Sequence, residues 1–210
     1  MSFDGNTRVV LRPIASPLPL GFLALACGTL VVSGLQLGWL RPSEGHNVAL
    51  ILLGFVFPLQ LLASVFGFLG RDVVAGTVMG VLAGTWLSFS LITLGAPPGS
   101  TSDALGLFLL VAAASIAVPA AAAATGKLLP AAVLATAVVR FGLTGLYQLT
   151  AAESWEDAAG VVGLVLCALG LYTALALALE DVRHRTLLPI GRRDGRYAGE
   201  LPEAGVREQL

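Results

Sequence analysis

Six apolar runs separated by short polar breaks divide the chain, at residues 17–40, 47–69, 73–95, 104–125, 128–150 and 157–179. Each is close to the ~20 residues with which a helix crosses a ~30 Å hydrocarbon layer. The breaks carry helix-start and turn residues. Ser16 precedes Pro17 and Pro19, Asp72 stands before the third run, Asp103 before the fourth, and Ser154-Trp155-Glu156-Asp157 before the sixth. Side-chain oxygens at such positions cap free amides, and proline is tolerated in a first helical turn, which has no amide partners to lose. Pro97-Pro98-Gly99-Ser100 is a turn between the third and fourth runs. Short connections between long helices predict neighbouring antiparallel spans. The expected fold is all-α: a polytopic membrane protein whose six-helix transmembrane bundle covers 16–180, between an N-terminal tail (1–15) and a C-terminal tail (181–210).

Composition agrees with this pattern. Hydrophobic residues make up 56% of the chain and charged ones 12%, with a mean hydropathy of +0.86. Soluble domains carry about twice that charged fraction. No basic patch suited to nucleic acid is present, so the partners expected are the lipid bilayer and small solutes. All Lys and Arg except Arg41 and Arg140 lie in the tails or in the 70–72 and 126–127 breaks. The positive-inside rule then predicts both termini cytoplasmic, in the cell (plasma) membrane. The opposite side carries Glu44, Asp103, Glu153, Glu156 and Asp157, read as solvated helix starts.

Within the spans, Gly76-xxx-Gly80-xxx-Gly84, Gly34-xxx-Gly38 and the alanines from Ala120 to Ala124 predict close helix contacts. Pro58 and Pro119 each free the carbonyl four residues earlier, at Gly54 and Ser115, and Gln60 is a candidate partner for such a carbonyl. Cys27 and Cys167 read as small core residues. His46 and His184 stand alone near opposite surfaces, and there is no nucleotide loop, Ser-His-Asp set or heme-ligand pair. No metal, no cofactor and no enzymatic activity are expected.

The fifth span carries the most chemistry. Thr136, Arg140, Thr144 and Gln148 recur every four residues and form one slanting polar stripe. Arg140 lies ~18 Å along the helix from Leu128, near the membrane midplane. A central Arg costs about 2.5–3.5 kcal/mol on insertion scales, and no Asp or Glu shares its depth. Four ways of satisfying it are open: the proline-freed carbonyls, hydroxyls such as Thr85 and Ser115, water, or a transported anion. Thr29, Ser33 and Gln36 in the first span line up at helical spacing toward the outer half. Facing the same cavity, they would give a neutral-polar lining with one positive charge, suited to a monocarboxylate.

Two end motifs carry a family resemblance. Ser16-Pro17-Leu18-Pro19-Leu20-Gly21 is similar to the Asn-Pro-Ala/Gly-Pro-Leu-Gly signature of the acetate/succinate transporter family of six-helix membrane proteins. Arg185-Thr186-Leu187-Leu188-Pro189-Ile190-Gly191 resembles the tail of its bacterial members, with Gln60, Trp86, Gly160, Gly163 and Tyr172 between. The resemblance covers about residues 15–191. It implies proton-linked or channel-like passage of acetate and related short mono- and dicarboxylates, a homohexamer, and one pathway per protomer. It also implies a constriction at Leu25, Leu82 and Ala137, positions where the family tends toward aromatic residues at the first two. The signature asparagine is Ser16 here, and Arg140 is not a family feature.

The leading reading is a carboxylate transporter or channel whose pathway comprises Ser16 to Gly21, Gln60, Thr136, Arg140 and Thr144. Its alternatives are a pore for another small anion or neutral solute, and a non-conducting scaffold or signalling protein on the same fold.

Overall fold

The computed structural model describes residues 15–183 and 186–191. The outer parts of both tails and Arg185 of the second end motif lie outside the described residues. Helix α1 covers Leu18–Gln36. The second span is composite: a 3₁₀ turn Pro42–Glu44, α2 Gly45–Ile51, a π-helical segment Leu52–Val56 and α3 Phe57–Leu69. There follow α4 Val73–Gly95, α5 Asp103–Ala123, α6 Leu128–Thr150 and α7 Glu153–Arg183. Six stretches among the described residues are long and apolar enough to cross a membrane, as the hydrophobic pattern predicts.

Each span packs on the next and α7 returns to α1, so the six spans close into a ring. The interior is one apolar core that includes Phe22, Leu25, Leu82, Trp86, Leu134 and Phe141. Large side chains such as Leu107, Val111, Val118, Val165 and Leu175 face outward, as lipid or a neighbouring protein surface requires.

The helix starts follow the sequence with three corrections, one being that α7 begins at Glu153, so Ser154 lies in its first turn and is not its cap. Asp72 Oδ1 accepts from the Ala75 amide at 2.9 Å, capping α4. At α5 the cap is Ser102, whose Oγ accepts from Leu105 N at 3.3 Å, while Asp103 sits in the first turn. Ser16 does not cap α1: Pro17 occupies the cap position without a side-chain bond, and Ser16 is exposed. Pro19, inside the first turn, has no amide for a hydroxyl to receive. The first run also ends early. Gly38 adopts φ +68 and turns the chain after Gln36, a conformation in which glycine meets no steric penalty.

Glycines set the second and third spans together. A Cβ on Gly67 would stand 2.6 Å from Gly76 N, so the two backbones meet directly. A Cβ on Gly80 would lie 2.9 Å from Ser64 Oγ, which itself donates to Gly76 O at 2.7 Å. Gly84 and Gly38 have nothing within 4 Å, so the expected contacts at these two are not made. Cys167 is buried, but Cys27 faces outward and is not a core residue.

Pro58 acts on its own helix. The Phe57 amide reaches back to Leu52 O, the longer i to i−5 bond of a π turn. Proline at the next position cannot donate, and the widened turn absorbs the fault. Gln60 does not serve the freed carbonyl; its Nε2 donates to Gly21 O on α1 at 3.3 Å.

The segment after α7 is a strap. Gly191 O and Ile190 O accept from the Leu128 and Leu129 amides at 2.8 and 3.1 Å, capping α6 with backbone carbonyls. Ile190 is buried, and the Tyr172 hydroxyl donates to Pro189 O at 3.4 Å.

Candidate functional site

Two vestibules open from opposite ends of the ring. One, of about 250 Å³, lies at the end where α1 begins and is lined by Leu18, Phe22, Asp72, Val78, Lys127 and Leu134. The other, of about 460 Å³, has Val32, Gln36, Phe89 and Thr144 among its lining residues, together with Glu153, Glu156 and Asp157 from the start of α7. The vestibules are separated from Phe22 to Val32 on α1, from Val78 to Phe89 on α4, and from Leu134 to Thr144 on α6. At 1.5 Å per residue each interval is ~15 Å, half a bilayer core.

This closed section has an apolar and a polar part. Leu25, Leu82 and Ala137, the predicted constriction, fall inside it and are fully buried. Trp86 packs edge-on against Phe141 with ring centroids 5.4 Å apart. Arg140, next in sequence to Phe141, supplies the polar part and is 1% exposed. Its Nη2 donates to Thr29 O at 3.3 Å, Ser33 Oγ at 3.4 Å and Gln36 Oε1 at 3.2 Å. The polar residues of the first and fifth spans therefore meet. The other candidate partners are engaged elsewhere: Thr85 Oγ1 donates to Val81 O, and half-buried Ser115 donates to Val111 O.

The network extends to the larger vestibule. Gln36 Nε2 donates to Thr144 Oγ1 at 3.2 Å, and Thr144 Oγ1 donates to Arg140 O at 3.0 Å. Gln148 Oε1 accepts from Ser102 N at 2.8 Å, tying the stripe to the start of α5. Thr136 stands apart; its hydroxyl donates to Ala132 O on its own helix.

The guanidinium is under-satisfied. Among the described residues no carboxylate pairs with it, Nη1 makes no hydrogen bond, and Nε is buried without an acceptor. Trp86 Nε1 and Gln60 Oε1 are likewise buried and unpartnered. Gly163 makes room for the arginine: a Cβ there would lie 2.5 Å from Nε and would overlap Ser33 Oγ. The sequence offered a signal for this role, a small residue in the sixth span at the arginine's depth, but Gly163 stood out only as a family marker.

The predicted pathway residues thus separate by level. Ser16 is exposed, Pro17 to Leu20 are half-buried with Leu18 alone of the four lining the smaller vestibule, and Gly21 is buried against Met79 and bonded by Gln60. Leu25, Leu82 and Ala137 follow inward, then Arg140, with Thr144 at the larger vestibule. No group of His, Cys, Asp and Glu suited to a metal occurs among the described residues.

Comparison with known proteins places this geometry in context. The solved structure of the bacterial acetate channel SatP superposes with a TM-score of 0.75 at 20% identity, covering 84% of this chain and 99% of that one. At that identity the likeness concerns the fold. No curated protein matches by sequence. The GPR1/FUN34/yaaH family model matches residues 3–188, which takes in the first end motif and the opening Arg185–Leu188 of the second, and the protein belongs to the GPR1/FUN34/yaaH family.

Proposed function

We propose that the protein is a membrane transporter or channel for acetate and related short-chain carboxylates. The observation that carries this reading is the pair of vestibules aligned on a ~15 Å closed section, in a chain of this family whose fold matches the SatP acetate channel. The route runs from the larger vestibule past Thr144, Gln36 and Arg140, through Leu25, Leu82 and Ala137, to the Ser16–Gly21 turn and Gln60. The distribution of Lys and Arg supports a reading with both termini in the cytoplasm and the protein in the cell membrane. The smaller vestibule is then the inner mouth. Proton linkage and a homohexamer are the family expectations for its working form.

Flux of labelled acetate into proteoliposomes, with and without an imposed pH gradient, tests the reading. Acetate entry above that of empty liposomes is the expected result, and a gradient-driven acceleration beyond that of empty liposomes under the same gradient marks proton linkage. Background rates for every carboxylate from formate through succinate would refute the function. One observation favours a second reading, a non-conducting protein on this fold: Leu25, Leu82, Trp86 and Phe141 leave the closed section filled. The same flux measurement decides between them.

A further inference from the structure

We propose that Arg140 and the acidic rim above it form a charge filter that admits monocarboxylate anions and turns dicarboxylates away. The inference rests on the carboxylate route of the preceding section. Arg140 carries a positive charge in a closed section where, among the described residues, no carboxylate offsets it, and three acceptors crowd onto Nη2 while Nη1 and Nε have none among those residues. The bonds, at 3.2–3.4 Å, are long for a charged donor, which in good charge-assisted pairs approaches to about 2.7–2.9 Å.

The open edge of the guanidinium can be identified. The Nε side faces the α7 backbone, where a Cβ on Gly163 would stand 2.5 Å away, so that edge is shut by the protein. The Nη1–Nη2 edge is held by Gln36 Oε1 alone among side chains that line the larger vestibule. Gln36 is a neutral acceptor whose amide has a second partner in Thr144. A planar carboxylate entering from the vestibule takes the place of Gln36 Oε1 and engages Nη1 and Nη2 together, the fork geometry that arginine offers carboxylates. A spherical halide lacks that match.

Charge then counts. One guanidinium offsets one negative charge, and a dianion brings a second into a buried section with no further cation among its described residues. Glu153, Glu156 and Asp157 line the same vestibule and repel the dianion twice as strongly as the monoanion. An acetate preference over succinate on the order of 60–300-fold follows from the cost of one unmatched charge at this depth.

The test uses the full chain in two assays. In proteoliposomes, acetate flux exceeds succinate flux by that ratio, and the triple variant Glu153→Gln, Glu156→Gln, Asp157→Asn narrows it by raising succinate entry. In detergent, sodium acetate raises the unfolding temperature, sodium chloride at equal ionic strength does not, Arg140→Gln abolishes the shift, and Gln36→Ala enlarges it by removing the competing acceptor. If Arg140→Gln fails to fold, Gln36→Ala and the rim variant decide. Equal flux of acetate and succinate through the unaltered protein overturns the filter while leaving carboxylate transport intact. An acetate shift that chloride reproduces, or that Gln36→Ala leaves unchanged, overturns the arginine station. Absence of all carboxylate flux with an intact acetate shift refutes the transport reading instead.

Discussion

A Cβ on Gly163 would lie 2.5 Å from Arg140 Nε, so the backbone of the last span presses on the charged group of the fifth. The arginine is accommodated because α7 carries no side chain there. Gly163→Ala is therefore expected to overpack the site and push the guanidinium and Ser33 apart. Overpacking of this kind costs about 1–3 kcal/mol, read as a lower unfolding temperature in detergent. Gly84→Ala is the control: nothing lies within 4 Å of its added methyl, and the change is expected to be neutral or stabilising. Equal effects at both positions would contradict the packing argument.

The closed section predicts opposite effects on stability and flux. Leu25 and Leu82 are fully buried between the vestibules. Truncation of either to Ala removes core contacts worth about 2–5 kcal/mol, yet it widens the route. Acetate flux per folded protein is expected to rise while the unfolding temperature falls. Reduced flux in both variants, at matched amounts of folded protein, would place the route elsewhere.

The second and third spans touch backbone to backbone at Gly67 and Gly76. A side chain at Gly67 has no flexible neighbour to displace, because the nearest atoms are main chain. Gly67→Val is expected to lose the folded protein, measured as the monodisperse fraction after detergent extraction. Gly142→Ala, with nothing within 4 Å, is expected to leave that fraction unchanged.

The strap makes a local prediction. Gly191 sits at φ +63, and a Cβ there would also come within 2.9 Å of Leu128 Cβ. Gly191→Ala adds left-handed strain of roughly 1–2 kcal/mol. The amides of Leu128 and Leu129, which donate to Gly191 O and Ile190 O, are expected to exchange hydrogen about 5–30-fold faster. Unchanged exchange would mean that the strap is not what protects them.

Sequence reasoning reached the spans because apolar length is a one-dimensional signal, and the six helices lie where the runs lie. It found both polar stripes, on α1 and α6, from spacing alone. It left their meeting open, since spacing within a helix says nothing of which helix lies opposite. The partners of Arg140 emerge only when the ring places Thr29, Ser33 and Gln36 across from it. Gly67 escaped notice for a related reason: a single glycine signals a close approach only once its partner, Gly76, is in position. Ser16 misled because its type suits a cap, whereas Pro17 and Pro19 alter which amides that turn has to offer.

The π turn at Leu52–Val56 fixes the phase of everything after it in the second span. One turn there holds an extra residue, so the faces before and after it are offset by about 100° from those of an unbroken α-helix. Deleting one residue, such as Gly54, would allow a regular helix to form and rotate one half of the span against the other. Gln60 would then swing away from Gly21, and Ser64 from Gly76. Total length in this span is thus itself a constraint, and a single-codon deletion there would be felt at both of its neighbouring helices.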